Sequence, residues 1–198
     1  MVEHQLRARG IEDERVLAAM ARVPRELFVP EEFRGHAYDD AALPIGADQT
    51  ISQPYMVARI CAELKLRGDE RVLDVGTGSG YQAAVLAELG REVHSLERIP
   101  ELAAQARRNL SAAGYDVDVR VGDGSLGVPD RAPFDAIAVA ASAPDVPQPL
   151  YDQLVVGGRL VLPIDESLVS VTRTASGRRT RFLSPARFVP LVSGLPDQ

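Results

Sequence analysis

Residues 71–81, which read RVLDVGTGSGY, constrain the fold of this chain more than any other segment. The apolar run ends at Val75, and Gly76, Gly78 and Gly80 follow at alternate positions before a helical pattern begins. Glycine allows a sharp turn and lets the backbone approach a ligand closely. The segment therefore predicts a buried strand, a glycine loop and a helix, the order found at the start of many nucleotide-binding sheets.

Strand and helix patterns continue to alternate beyond this segment. Helices are predicted at residues 80–89, 101–114 and 148–154, and strands at residues 92–97, 116–123, 134–141 and 159–164. Such alternation is typical of a parallel sheet covered by helices on both faces. The tail differs, because two strand patterns flank a turn near Ser176 and Gly177. We therefore predict an α/β fold with a doubly wound, mostly parallel, Rossmann-like sheet and a C-terminal β-hairpin.

The chain before the glycine loop divides into a helix, a loop and a second helix. Val16, Leu17 and Met20 fall at helical spacing. Residues 35–53 are rich in Gly, Pro, Asp and Ala and are predicted to form a loop. A helix begins at Pro54, since proline suits the first turn.

The length of 198 residues fits one domain. We expect a single domain over residues 1–198. Its parts are a helical, lid-like extension over 1–53, the cofactor-binding α/β core over 54–165, and a hairpin with a substrate-binding strip over 166–198.

Two acidic positions lie where the predicted strands end. Glu97 stands 21 residues after Gly76, where such folds place a carboxylate that accepts hydrogen bonds from ribose hydroxyls. Asp123 ends the next strand and could accept a hydrogen bond from an adenine amino group. Without a ligand, the glycines would form only a tight turn, and Asp123 with Gly124 an Asp-Gly turn. The agreement of both positions with the strand order favours a nucleotide site.

The glycine spacing indicates which nucleotide would bind. The pattern G-x-G-x-G is one residue shorter than the G-x-G-x-x-G of dinucleotide enzymes, which disfavours an oxidoreductase. With Asp74 two residues before the first glycine, it is similar to the first motif of S-adenosylmethionine-dependent methyltransferases. That cofactor has no phosphate but carries an ammonium group, which Asp74 could help to hold.

Composition and charge exclude several classes of partner. The formal net charge is −6, and the densest basic cluster, residues 178–181, reads as a solvated hairpin turn, so we expect no nucleic-acid partner. No run of eighteen apolar residues occurs, so we expect no membrane partner. The single Cys61 and the lack of an apolar secretory signal fit a cytoplasmic location. The three histidines are scattered, so no metal site is expected.

Several stretches together resemble one family. The chain is similar to the protein-L-isoaspartate O-methyltransferases over nearly its whole length. The stretches that carry the resemblance are VPRELFVP, LPIGADQTISQP, LDVGTGSGYQAAVLAEL and RFVPLV. The resemblance implies a fold of the S-adenosylmethionine-dependent methyltransferase type. It implies S-adenosyl-L-methionine as cofactor, S-adenosyl-L-homocysteine as product, and isoaspartyl-containing peptides and proteins as partners. The implied reaction methylates the free carboxyl of L-isoaspartyl, less readily D-aspartyl, residues in damaged proteins. We expect a monomer.

The resemblance also assigns roles to residues of this chain. Ser52 matches the catalytic serine, although a serine at this place could instead cap the following helix. Cofactor binding is implied for Thr50, Ile51, Ser52, Asp74, Gly76, Thr77, Gly78, Glu97, Asp123 and Gly124. Substrate binding is implied for Ile51, Ser52, Gln53, Val189 and Pro190.

Two other functions stay open, and a departure from the family pattern bears on the second of them. Asp48 stands where the family often has glycine. If that position requires a positive φ, aspartate tolerates it better than most residues. The first alternative is a methyltransferase for another carboxyl or a small molecule. The second is a non-catalytic cofactor-binding module, since a fold does not determine a function. Turnover on an isoaspartyl peptide distinguishes both from the main interpretation.

Overall fold

A seven-stranded sheet forms the centre of this computed structural model, which describes residues 1–196. After a short pair, β1 Leu43–Gly46 and β2 Gln49–Ile51, the chain forms the strands β3 Arg71–Val75, β4 Glu92–Glu97, β5 Asp118–Val121, β6 Phe134–Val139, β7 Leu154–Ile164, β8 Ser167–Thr174 and β9 Gly177–Pro185. In the central sheet they stand in the order β5-β4-β3-β6-β7-β8-β9, and the first five run parallel. The last two pair antiparallel, which confirms the predicted C-terminal hairpin.

Five α-helices accompany the strands in the described part of the chain: α1 Glu14–Arg22, α2 Pro54–Leu64, α3 Tyr81–Ala87, α4 Pro100–Ala112 and α5 Gln148–Asp152. The Asp13 side chain caps α1 by accepting hydrogen bonds from the backbone N–H groups of Arg15 and Val16. Short helical segments lie at Val2–Leu6, Arg7–Arg9, Arg25–Phe28, Glu31–His36 and Pro129–Arg131. No helix within residues 1–196 is both long and apolar enough to cross a membrane.

The hydrophobic core joins all three predicted parts of the chain. Strands β3 and β6 are almost wholly buried, as expected for strands covered on both faces. One cluster of buried side chains includes Leu6 of the N-terminal extension, Leu86 of α3 and Ala186 after the hairpin. The last two residues of the predicted C-terminal segment, 197–198, lie outside the described residues.

A short hairpin corrects the prediction of a loop over residues 35–53. Strand β1, Leu43–Gly46, pairs antiparallel with β2, Gln49–Ile51, and buries Leu43, Ile45 and Ile51. The strands have four and three residues, and β1 contains Pro and Gly. Alternation over so few residues is too short to be recognised as a strand pattern.

The turn of this hairpin carries backbone strain. Ala47 and Asp48 form a two-residue connection with φ values of 50° and 56°. Left-handed backbone at both positions is the type I′ geometry, which favours Asn and Gly because other side chains crowd the backbone. Asp48 therefore adopts the positive φ that the sequence indicated.

Replacing Ala47 tests this strain. We expect Ala47→Asn to raise the free energy of unfolding by about 0.5–1 kcal/mol, since asparagine tolerates the left-handed region better than alanine. Chemical denaturation of the two proteins measures the difference. Ala42→Asn, at an exposed position just before β1, is the matched control and should stabilise nothing. Equal effects of both substitutions would contradict a turn-specific cause.

Strand order places an opening beside β3. The chain leaves β3 for β4 on one side and later returns to β6 on the other side. In open α/β sheets, ligands bind in the crevice beyond the carboxyl ends of the strands at such a reversal. Residues that follow Val75, Glu97 and Val139 therefore meet at one place.

Candidate functional site

A cavity of about 240 Å³ lies at this reversal of strand order. Its wall combines the β1–β2 hairpin, the glycine loop, the ends of β4 and β6, and the tail after β9. Ten of the residues predicted for a site line it: Thr50, Ile51, Ser52, Gly76, Thr77, Gly78, Glu97, Gly124, Val189 and Pro190. Three do not, namely Gln53, Asp74 and Asp123.

The glycine loop folds tightly over the end of the sheet. The backbone N–H groups of Gly76 and Thr77 both donate to the Leu96 carbonyl, at 2.8 and 3.3 Å. Gly78 has a φ of 53°, and a Cβ built on it would lie 3.2 Å from the Ile45 side chain of the hairpin. Because a side chain there would be strained and crowded, glycine lets the loop and the hairpin approach each other.

Glu97 occupies the end of β4 with both carboxylate oxygens engaged. The backbone N–H of Gly78 donates to Oε2 at 2.8 Å, and that of Ile99 donates to Oε1 at 3.0 Å. The side chain is only 6% exposed, yet it lines the cavity. A carboxylate has about four acceptor positions, so this fixed group can still accept hydrogen bonds from a pair of ligand hydroxyls.

Asp74 lies completely buried behind the cavity wall. Its Oδ1 accepts a hydrogen bond from Nε2 of Gln82 at 2.8 Å, and its Oδ2 accepts one from the hydroxyl of Ser95 at 2.7 Å. Gln82 itself lines the cavity. Since its amide nitrogen is committed to Asp74, its amide oxygen is left as the acceptor. Asp74 thus bears on the cavity through Gln82.

Burial perturbs the titration of this carboxyl. Desolvation raises the pKa of Asp74 to about 6, and the hydrogen bonds from Gln82 and Ser95 oppose the rise only in part. The folded state therefore holds the proton more tightly than the unfolded chain, whose aspartate pKa is about 3.9. The stability that this proton contributes is present below about pH 4 and is lost as the pH rises through about 6.

Asp74→Asn should remove this pH dependence. The amide can still accept from Gln82 and can donate to the Ser95 hydroxyl, which is free to rotate. Between pH 5 and 7.5 we expect the unfolding free energy of the variant to gain about 1 kcal/mol relative to wild type. Chemical denaturation at several pH values measures the difference. A constant difference across this range would contradict the raised pKa.

The turn after β5 separates the roles of Asp123 and Gly124. Oδ1 of Asp123 accepts hydrogen bonds from the backbone N–H and hydroxyl of Ser125, and Oδ2 accepts one from the backbone N–H of Gly194 at 2.6 Å. Burial raises the pKa of Asp123, but these bonds outweigh it and lower the pKa overall. Gly124 lines the cavity, and a Cβ built there would lie 2.7 Å from Val75.

The tail after β9 crosses the open side of the cavity. The Ser142 backbone N–H donates to the Val189 carbonyl, and the Leu191 N–H donates to the Ser142 carbonyl, both at 2.7 Å. Farther along, Gly194 reaches the turn after β5 through Asp123. Residues 189–192 all line the cavity. We call residues 189–194 the strip; its first four residues form part of the cavity wall together with the β1–β2 hairpin.

Ser52 lies half-buried in the cavity wall at the start of α2. The alternative role as helix cap is not observed, because Gln53 is the capping residue and no side chain makes a capping hydrogen bond. The Ser52 hydroxyl is therefore not engaged by the end of the helix. The Gln53 side chain turns to Asp40 instead, with 3.3 Å between Nε2 and Oδ1.

Several residues that line the cavity were not predicted from the sequence. Tyr81 and Gln82 begin α3, Ile99 follows the end of β4, and Ala140 and Ala141 follow β6. The rule that residues just beyond the carboxyl ends of β4 and β6 form the crevice could have identified Ile99 and the two alanines. Tyr81 and Gln82 carried no such signal, because their side chains also fit a buried helix face.

Carboxylates outnumber cationic side chains in and behind the wall. The Asp48 and Glu97 carboxylates line the cavity and Asp74 lies behind it, whereas Arg98 lines the wall and the buried Arg25 lies behind Tyr81. The part of the wall formed by Glu97, with Asp74 behind it, favours a cationic ligand. Within residues 1–196, no group of three or more His, Cys, Asp or Glu side chains is arranged to hold a metal ion.

Comparison with known proteins agrees with this geometry. The sequence profile of the family described as protein-L-isoaspartate(D-aspartate) O-methyltransferase matches residues 1–195. A protein-L-isoaspartate O-methyltransferase of Methanoculleus marisnigri is 53% identical, over 97% of this chain and 90% of that protein. Protein-L-isoaspartate O-methyltransferase 2 of Marinobacter nauticus is 56% identical, over 97% of this chain and 91% of that protein.

A solved structure shows the same architecture. It is the crystal structure of a protein described as a Plasmodium falciparum protein-L-isoaspartate O-methyltransferase, in complex with S-adenosyl-L-homocysteine. That structure superposes on this chain with a TM-score of 0.84, and the two sequences are 28% identical. The match covers 98% of this chain and 97% of that one. The α/β fold predicted from the sequence is thereby confirmed as the S-adenosylmethionine-dependent methyltransferase type. On the profile match and these identities, the chain belongs to the protein-L-isoaspartate(D-aspartate) O-methyltransferase family.

Proposed function

We propose that this protein transfers a methyl group from S-adenosylmethionine to the free carboxyl of isoaspartyl residues in damaged proteins. The observation that carries the proposal is one cavity in which Ser52 and Glu97 both line the wall, in a chain of this family. D-aspartyl residues are proposed as poorer acceptors. A methyl acceptor of another kind is the remaining alternative, since cofactor binding alone would not distinguish it.

The donors and acceptors present fit S-adenosylmethionine. We propose that Glu97 accepts hydrogen bonds from the two ribose hydroxyls and that the amide oxygen of Gln82 accepts one from the ammonium group. Gly124 lines the cavity beside the turn that Asp123 holds in place, and we propose that adenine lies against it. When bound, the cofactor supplies a methyl group on a positively charged sulfur. The surplus of carboxylates around this part of the cavity suits that charge.

The acceptor needs orientation rather than a strong base. A carboxylate is already ionised at neutral pH, so no residue must remove a proton from it. We propose that the Ser52 hydroxyl donates a hydrogen bond to this carboxylate and aims it along the line of transfer. Good alignment can lower a barrier by up to about 7–11 kcal/mol in favourable cases. The β1–β2 hairpin and the strip are proposed to limit the access of water to the bound reactants.

Repair follows from the chemistry of the product. The methyl ester of an isoaspartyl residue is attacked by the neighbouring backbone nitrogen, which releases methanol and closes a succinimide ring. Opening of the ring by water returns a fraction of normal aspartyl linkages, and the isoaspartyl fraction re-enters the cycle.

We further propose a cytoplasmic, monomeric protein that works as one domain, without nucleic acid, membrane or metal as partner.

A time course tests the proposal. The protein is incubated with S-adenosylmethionine and one isoaspartyl peptide, and the peptide forms are separated by chromatography and identified by mass spectrometry. We expect methyl ester first, then succinimide, then aspartyl peptide at the expense of the isoaspartyl form. Ester that persists on a different carboxyl of the peptide, or no ester at all, would contradict the proposed acceptor.

A further inference from the structure

Arg25 is a fully buried arginine next to the acceptor side of the cavity. It lies at the start of the short helix Arg25–Phe28 and has no exposed surface. Its guanidinium lies over the ring of Tyr81, with 4.6 Å between Cζ and the ring centroid. Tyr81 lines the cavity, so the positive charge stands directly behind the wall.

The guanidinium joins two distant points of the backbone. Nε donates to the Ala37 carbonyl at 2.7 Å, and Nη2 donates to the Ser52 carbonyl at 2.8 Å. These carbonyls bracket residues 37–52, the segment that contains the β1–β2 hairpin and ends at Ser52. One side chain thereby holds both ends of the segment that forms this wall.

The charge of Arg25 lacks a compensating carboxylate within residues 1–196. Nη1 has no hydrogen-bond partner there, although it is buried. Burial lowers the pKa of the guanidinium, and the groups that oppose this are the tyrosines Tyr81 and Tyr38 rather than an acid. Arginine nevertheless stays protonated in proteins. An unpaired buried cation is costly, so its retention calls for a role.

The two sides of the cavity differ in charge. The carboxylates of Glu97, in the wall, and of the buried Asp74, behind Gln82, lie at the side proposed for the cationic cofactor. The buried guanidinium stands beneath Ser52, where the anionic acceptor is proposed to lie. A positive charge in a poorly solvated surrounding acts strongly on a nearby anion. The incoming carboxylate would thus compensate a charge that the protein itself leaves uncompensated.

We propose that Arg25 is a positioning residue for the acceptor, which fixes Ser52 through its backbone carbonyl and selects an ionised carboxyl group at that side of the cavity. This inference rests on the proposed function and goes beyond it by assigning the selection of charge to a residue outside the cavity wall. Arg25 acts through Ser52 and the local field, without touching the acceptor.

Two variants separate charge from packing. Arg25→Lys keeps the positive charge and a donor on a side chain of similar length, whereas Arg25→Gln removes the charge and keeps a donor on a shorter side chain. For each protein, calorimetry in the presence of S-adenosylhomocysteine compares the binding of two peptides. One carries an isoaspartyl residue, and in the other the free carboxyl of that residue is replaced by a neutral carboxamide. Arg15→Gln is the matched control, because Arg15 also donates to two backbone carbonyls, those of Leu66 and Leu89, away from the cavity.

The expected result is a loss of charge selection in one variant. Wild type and Arg15→Gln should prefer the carboxylate peptide by roughly tenfold or more, since hydrogen bonds and fields involving charged groups are the strong ones. Arg25→Lys should keep most of this preference. Arg25→Gln should reduce it to about threefold or less and lower kcat/KM for the isoaspartyl peptide, while the Kd for S-adenosylhomocysteine stays within about threefold.

The outcomes distinguish this inference from the proposed function. A wild-type protein that does not methylate the isoaspartyl peptide overturns both, whereas a wild-type protein that methylates it without preferring to bind the carboxylate peptide overturns the role of Arg25. A wild-type preference that Arg25→Gln retains in full overturns the role of Arg25 alone. If Arg25→Gln does not fold, Arg25→Lys decides: retention of both the preference and kcat/KM within about threefold supports the role, and loss of the preference with intact cofactor binding overturns it.

Discussion

Ser52→Ala should lower kcat/KM for an isoaspartyl peptide by roughly 100-fold or more, the effect of removing one well-placed donor from an active site. The hydroxyl is not used to cap α2, and it lies in the wall shared by hairpin and cavity. The Kd for S-adenosylhomocysteine should change by less than about threefold, since Glu97 and the glycine loop hold that ligand. Methyl transfer kinetics and calorimetry measure the two effects.

The control for this substitution is Ser111→Ala, at an exposed position in α4. It should leave both quantities unchanged. Thermal unfolding of each variant shows whether the fold is intact. Equal losses of turnover and cofactor affinity in a folded Ser52→Ala protein would contradict the proposed orienting role of the hydroxyl.

Glu97→Gln should weaken binding of S-adenosylhomocysteine by roughly 10- to 100-fold, because hydrogen bonds to a charged group contribute about 1.5–3 kcal/mol. In the variant, an amide NH₂ replaces one of the two oxygens that accept from Gly78 and Ile99. Two donors would then face each other, and the acceptor for a ribose hydroxyl would be reduced. Calorimetric titration with S-adenosylhomocysteine measures the loss.

Glu101→Gln is the matched control for this loss, since Glu101 is exposed in the first turn of α4. Its Kd should equal that of wild type. At saturating S-adenosylmethionine, Glu97→Gln should regain much of the wild-type kcat, because Ser52 and the strip are untouched. An unchanged Kd for the Glu97 variant would show that Glu97 does not hold the cofactor.

The sequence was sufficient to predict the parallel part of the sheet because most of its strands are apolar and are separated by helices. Strand β4 was predicted with its observed bounds, Glu92–Glu97. The parallel core leaves few alternatives once the order of elements is known. Strand β7 begins at Leu154, earlier than predicted. The prediction missed its first residues because an exposed valine and two glycines at residues 156–158 do not form a strand pattern.

The sequence could not show which acidic residues face the cavity. Asp74, Glu97 and Asp123 all stand at or near strand ends, but only Glu97 lines the wall. Asp74 precedes the end of β3 and points into a network with Gln82 and Ser95. Such partners come from other elements, so sequence spacing carries no record of them. The roles assigned to individual site residues stay predictions.

The position of Arg25 could not be predicted from the sequence either. Its neighbours in the sequence gave no sign of function, since a basic residue beside a proline usually faces solvent. Its burial follows from the packing of the Arg25–Phe28 turn against Tyr81, some 56 positions later in the chain. Only the folded structure brings this charge beneath Ser52.

The most direct test uses two synthetic peptides that differ only in one linkage, isoaspartyl or aspartyl. Each is incubated with labelled S-adenosylmethionine and the wild-type protein, and base-labile methyl ester is counted. We predict ester on the isoaspartyl peptide alone. Equal transfer to both peptides, or transfer to neither while calorimetry shows bound S-adenosylhomocysteine, would contradict the function proposed for this cavity.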